Sequence, residues 1–306
     1  MGMPQQIQKI LSFYESDCPG TKAQLVRLLM QGKLSGTGHL IIYPIDQGFE
    51  HGPGRSFSMN PSAYDPHYHI SLALKAGLSG FAAPLGFIES LASTYAGLIP
   101  LILKVNSGTS LVPSKEDSNQ AITGSVEDAL RLGCAAIGYT IYPGSNHTYE
   151  MFEKLQHLTQ EAKAAGLAVV VWSYPRGHVS KEGEQSLNVI SYGAHMAALL
   201  GAHIIKVKLP TAFLENDASF PLYEKYVPAK TLQERVKHVV QSCFDGRRLV
   251  VFSGGETHSV SDVLEETKAI YEGGGTGSII GRNCFKRPEE EALEMLSKMI
   301  KIYQGT

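Results

Sequence analysis

Short runs of β-branched and aromatic residues alternate along this chain with longer segments whose apolar positions recur every three to four residues. The runs are Leu40–Ile45, Gly80–Pro84, Pro100–Val105, Ala135–Tyr142, Ala168–Trp172, His203–Lys208, Arg248–Ser253 and Gly277–Gly281. Their length and composition predict buried strands. Helical spacing occupies Pro66–Ala76, Tyr149–Ala165, Leu187–Leu200, Ala229–Ser242, Ser261–Gly273 and Pro288–Tyr303. Strands separated by helices in this way predict an α/β fold, a single (β/α)8 TIM barrel. An open doubly wound sheet is the alternative, but no GxGxxG follows the first run. Residues 1–36 predict a helical extension capping the barrel floor, with the barrel over residues 37–306, the two making one domain. The segments Ser107–Gly124 and Pro210–Pro228 are long for strand-to-helix loops, which makes them candidate lids or interface elements.

Composition narrows the function classes. The 306 residues suffice for one large core. Net charge is −2 and no basic stripe appears, so nucleic acid is not an expected partner. No apolar run reaches membrane-spanning length, and the N-terminal MGMPQQIQKILSFY lacks a signal-type apolar core. No membrane association is expected. Cys18, Cys134, Cys243 and Cys284 are scattered without metal-type spacing, which points to free thiols in a reducing cytoplasm.

In a barrel of this kind, chemistry sits where strands end. The sixth run ends in His203-Ile204-Ile205-Lys206-Val207-Lys208. Burial disfavours a charged lysine, and a free amine in a dry pocket attacks carbonyls to form a Schiff base. Lys206 and Lys208 share parity, so alternation does not choose between them. Either lysine could instead sit at the strand mouth and bind an anion or form an ion pair. Lys104 ends the third run; it could add to the positive field, bind a phosphate, or pair with Asp46 or Glu50. Ser253-Gly254-Gly255 and Gly281-Arg282 follow the seventh and eighth strands, where glycine-rich turns cradle phosphate in such barrels. Asp46 is a candidate acid/base, or else a helix N-cap. Tyr174 shares the parity of Trp172 and is a candidate proton shuttle, or else packing. Arg176 could hold a phosphate or an acidic residue. His51 beside Glu50, and His67 near His69, raise a metal reading, but residues at i and i+2 do not share a helix face, and neither metal nor other cofactor is expected. No GxSxG elbow is present.

DQGFEHGP, LILKVN, GYTIYPGS, VVWSYPRG, IIKVK, SGG and GRN occur in that order. Together they resemble the archaeal-type, or DhnA-type, class I fructose-1,6-bisphosphate aldolases, over residues 38 to 303. The resemblance implies a Schiff base on Lys206, the first lysine of the K-x-K strand. It implies an acidic residue at Asp46, Trp172 and Tyr174 in the site with the tyrosine moving protons, and phosphate binding by Ser253, Gly254, Gly255, Gly281 and Arg282. It also implies a homo-oligomer, typically a decamer. The expected activity is metal-independent, reversible cleavage of fructose 1,6-bisphosphate to dihydroxyacetone phosphate and glyceraldehyde 3-phosphate. The alternatives are a sister transaldolase or thiolase acting on another phosphorylated ketose or diketone, and a non-catalytic phosphosugar-binding barrel.

Overall fold

A computed structural model describes residues 2–112, 117–253 and 259–306. Eight parallel strands close into a barrel: β1 Leu40–Pro44, β2 Gly80–Pro84, β3 Leu101–Lys104, β4 Ala136–Ile141, β5 Ala168–Ser173, β6 Ile204–Lys208, β7 Leu249–Ser253 and β8 Gly277–Ile279. Each strand pairs with its sequence neighbours, and β8 returns to β1 through Leu40 opposite Gly277. This is the (β/α)8 barrel that the alternating pattern predicts.

Strand alternation divides the core in two. Ile42, Ile102, Val170, Ile204, Val251 and Ile279 point inward with Trp172. The intervening residues, among them Ile41, Leu103, Val171, Ile205 and Val250, pack outward against the helices. Inward parity is what places Lys206 and Lys208 inside the barrel.

The long helices follow the predicted segments, with ends moved by their caps. Thr231 accepts from the Glu234 amide and Glu234 reaches back, so that helix starts at Leu232 rather than Ala229. Ser259 and Asp262 form the same box before Val260. Shorter helices escape periodicity because they span fewer than two turns: Gln47–His51, Pro53–Phe57, Leu85–Glu89, Val126–Arg131, Phe220–Tyr226 and Arg282–Phe285.

The N-terminal segment forms helices Gln5–Ser12 and Pro19–Leu29. Their Ile7, Ile10, Leu25, Leu28 and Leu29 join the inward barrel cluster and seal its floor, as expected. Polar anchors fix them there. The Tyr14 hydroxyl donates to the His203 carbonyl at 2.6 Å, at the foot of β6. Because His203 Nδ1 accepts from the Val169 amide, its Nε2 carries the proton shared with Asp17 at 3.0 Å.

The two long loops are tethered. Asn106–Ser107 pairs antiparallel with Ala121–Ile122, so the loop after β3 returns on a fixed ribbon. The loop after β6 is stitched to the one after β5 by Thr211 N–H to Gln185 and Leu187 N–H to Phe213. No helix among the described residues is long and apolar enough to cross a membrane.

Candidate active site

Three lysines line the upper barrel, and their partners distinguish them. Lys104 donates to the Asn106 carbonyl, to Asn106 Oδ1 at 2.8 Å and to Gln120 Oε1 at 3.4 Å. Neither Asp46 nor Glu50 is its hydrogen-bond partner. Lys208 forms an ion pair with Glu184 at 3.3 Å. Lys206 has no hydrogen-bond acceptor among the described residues. Its surroundings are aromatic, with Nζ 5.7 Å from the Trp172 ring centroid and 5.5 Å from that of Tyr174.

Lys206 is 5% exposed and Lys104 3%. Burial pushes the Lys206 ammonium down to about 8, with Arg282 acting in the same direction and Asp46 and Glu50 against it. Lys104 is likewise pushed down to about 8, chiefly by burial. The consequence is large: at pH 7 about one such amine in ten is neutral, against about one in 2,500 for an ordinary lysine. Lys206 thus combines an easily lost proton with the absence, among the described residues, of any acceptor that would occupy it.

Trp172 stands directly opposite Lys206 in the β5–β6 register. Its indole leans over Gly138 of β4, where an added Cβ would lie 2.5 Å from the ring. Gly138 is therefore a site residue that motif reading missed, although a glycine inside a strand signals such close approach. Among the described residues the buried Trp172 Nε1 has no hydrogen-bond partner, which leaves a donor available to a bound molecule. Tyr174 packs against both the inward and the outward clusters. Burial raises its hydroxyl well above the ordinary tyrosine value, and the Asp46 carboxylate adds to this while Ser253 opposes it. Asp46 occupies the N-cap position of Gln47–His51, but its side chain makes no cap hydrogen bond. It faces the cavity instead.

That cavity is bounded by Asp46, Lys104, Gln120, Thr140, Tyr142 and Tyr174. It opens into a wider mouth that adds His51, Lys154 and Arg176. Arg176 lies 3.6 Å from Glu50 and stacks 4.9 Å from the Tyr142 ring centroid. Both Arg176 and Arg282 press electrostatically on Lys208 and on His51.

Ser253 and Arg282 stand at the ends of β7 and β8, with Arg282 half-buried. Gly254 and Gly255 lie outside the described residues. At Gly281, a Cβ would meet the Pro44 carbonyl at 2.7 Å, so packing against β1 requires a glycine there. His51 pairs with Glu50 at 3.7 Å. Among the described residues no three His, Cys, Asp or Glu side chains form a metal-holding group. Besides Gly138, motif reading assigned no role to Asn106, Gln120, Tyr142 or Glu184. Asn106 and Tyr142 carried a signal, as polar residues at the ends of the third and fourth strands; Gln120 and Glu184 reach the site through loop geometry.

Comparisons with known proteins bear on the family to which the chain belongs. The family model described as DeoC/LacD family aldolase matches residues 40–287. The fructose-bisphosphate aldolase class 1 of Thermoproteus tenax is 35% identical over 269 residues, covering 88% of this chain and 90% of that protein. A probable fructose-bisphosphate aldolase class 1 from Chlamydia muridarum is 32% identical over 309 residues, covering 95% of this chain and 87% of that one. A solved archaeal fructose-1,6-bisphosphate aldolase, whose catalytic lysine is covalently bound to the carbinolamine intermediate of the substrate, superimposes with a TM-score of 0.75 at 32% identity. It covers 90% of this chain and 97% of that structure. With a family match spanning nearly the whole barrel, this chain belongs to the DeoC/LacD family of aldolases.

Proposed function

We propose that this protein is a Schiff-base, metal-independent aldolase that reversibly cleaves fructose 1,6-bisphosphate to dihydroxyacetone phosphate and glyceraldehyde 3-phosphate. One observation carries the reading: Lys206 is a buried amine, free of hydrogen-bond acceptors among the described residues, set between Trp172 and Tyr174.

Lys206 Nζ adds to the C2 keto carbon, the carbonyl oxygen takes a proton, and the carbinolamine loses water to give an iminium. The C4 hydroxyl then gives its proton to the Asp46 carboxylate, directly or through the Tyr174 hydroxyl, which hands its own proton on as it accepts. The C3–C4 bonding pair moves into the iminium, leaving an enamine and releasing glyceraldehyde 3-phosphate. The same group returns a proton to C3, and water hydrolyses the imine to free dihydroxyacetone phosphate. Burial keeps the Tyr174 hydroxyl neutral, so it serves as a proton donor and takes up a proton only as it passes its own on. Trp172 walls the amine from water, and its unpartnered N–H is suited to a substrate oxygen. Ser253, Gly254, Gly255, Gly281 and Arg282 hold one phosphate. Arg176 and Lys208 hold the other across the mouth. Lys104, with its protons already donated, contributes positive charge.

Reductive trapping tests this directly. Borohydride with dihydroxyacetone phosphate should leave one adduct, mapping to Lys206, and a coupled assay should show cleavage of the hexose bisphosphate. Turnover of another phosphorylated ketose or diketone with none of the bisphosphate would give the site to the sister chemistry. The same reading includes a homo-oligomer, a decamer in its fullest form. Outward-facing Tyr149, Tyr192 and Leu199 are strongly exposed in the single chain, which supports it. Light scattering would give the subunit count. Four free thiols, three of them buried, suit a reducing cytoplasm.

A further inference from the structure

Burial alone does not explain why Lys206 rather than Lys104 should form the imine. The two lie against one indole, Lys104 Nζ at 5.8 Å and Lys206 Nζ at 5.7 Å from its centroid. Both are almost fully buried, and both ammonium groups are pushed down to about 8. Their hydrogen bonding is what differs. Lys104 meets three oxygens, two from Asn106 and one from Gln120, whereas Lys206 meets none among the described residues.

The oxygens around Lys104 are themselves fixed. Asn106 is fully buried; its amide donates to the Thr140 carbonyl and its Oδ1 accepts from the Thr140 N–H, both at 2.8 Å. This locks its orientation against β4 with Oδ1 toward Lys104. Gln120 donates its amide to the Tyr142 hydroxyl at 2.6 Å, which turns Oε1 toward Lys104. It arrives on the return limb of the loop after β3, just before the ribbon residues Ala121–Ile122. Hydrogen bonds to an ammonium favour the charged form, and a buried amide carbonyl that loses its donor is costly.

We propose that Asn106 and Gln120 are positioning residues that assign the nucleophile. They hold Lys104 as the resident ammonium and leave Lys206 as the amine that bonds the substrate. This rests on the Schiff-base reading above. A fixed cation across the indole also disfavours a second positive charge on Lys206, so the clamp acts on both lysines at once.

The test is reductive trapping with dihydroxyacetone phosphate as a function of pH, with peptide mapping, on the wild type and on Gln120→Met. Methionine keeps the volume and removes the oxygen. The expected result in Gln120→Met is a second adduct on Lys104, about a tenth of the total or more, and a midpoint for Lys206 trapping moved to higher pH by about half a unit. Tyr142→Phe, which frees the Gln120 amide without touching Lys104, should move both in the same direction by less. If Gln120→Met does not fold, Tyr142→Phe decides alone. Trapping confined to Lys206 with an unmoved midpoint in a folded variant overturns the assignment. Wild-type enzyme that forms no adduct on Lys206 overturns instead the function on which it rests.

Discussion

Lys104 and Lys206 approach the same Trp172 indole from two different strands, at 5.8 and 5.7 Å from its centroid. Two buried cations against one ring form a site in which charge is scarce and closely controlled. Removing the Lys206 proton relieves Lys104, because the Lys206 charge lies among the influences that lower it. The behaviour of this pair determines most of what can be measured on the protein.

Lys206→Ala should abolish the borohydride-trappable adduct and lower kcat for bisphosphate cleavage by on the order of 10⁴-fold or more, since covalent catalysis has no substitute in the site. Circular dichroism should show the barrel intact. Full activity in this variant would end the Schiff-base proposal. Prolonged EDTA treatment of the wild type should leave the rate unchanged, because the iminium itself is the electron sink.

The pH dependence follows from a folded value near 8 for Lys206. The amine is the reactive form, so kcat/KM should rise about tenfold per pH unit below about 8 and level off above it. Stability should respond too. The unfolded chain holds these lysine protons up to about 10.4, whereas the folded chain releases them near 8. Between those values the unfolded state binds more protons, so the pair's contribution makes stability increase with pH. Denaturant midpoints of the wild type, compared with Lys104→Met across that window, measure the contribution. A wild-type slope no steeper than the variant's would contradict it.

Gly138→Ala places a methyl group against Trp172, where the ideal Cβ sits 2.5 Å from the ring. The indole must shift, at about 1–3 kcal/mol of stability. Activity should fall more than stability alone explains, because the ring beside Lys206 moves. Thermal melts and steady-state kinetics on one preparation separate the two effects.

Asp17→Asn probes the barrel floor, away from chemistry. Burial would raise the Asp17 carboxyl, but His203 and Lys163 outweigh it and hold the value down to about 2. A depressed carboxylate contributes stability above its unfolded value near 3.9, lost as pH falls toward 2. The substitution should cost about 1–3 kcal/mol at neutral pH and flatten the acid limb of the stability curve. The trapping midpoint of Lys206 should stay in place. A shift of that midpoint would show that the floor reaches the site.

The barrel was legible because its strands are short and rich in Val and Ile, so their inward and outward residues separate cleanly. The N-terminal helices were legible as an extension ahead of the first strand, and their Ile7, Ile10, Leu25, Leu28 and Leu29 pack onto the inward cluster. The short helices after β1, β2 and β8 were not, since one turn carries no period. At the site, parity placed Lys206, Lys208 and Trp172 on the inside but left the two lysines equivalent. What separates them is tertiary: Glu184 pairs with Lys208 from the loop after β5, and no sequence spacing announces that contact. Gln120 was hidden for the same reason, because its loop's return path is fixed by ribbon pairing at Asn106 and Ser107.

The helices packed under the barrel make it a blind well. Tyr14 is bolted to the foot of the strand that carries Lys206, so neither solvent nor product has a drain at that end. The water shed when a carbinolamine dehydrates must leave by the route the sugar took in, past the arginines at the rim. Entry and exit therefore share one doorway, and an occupied doorway keeps the imine dry until the first product has gone.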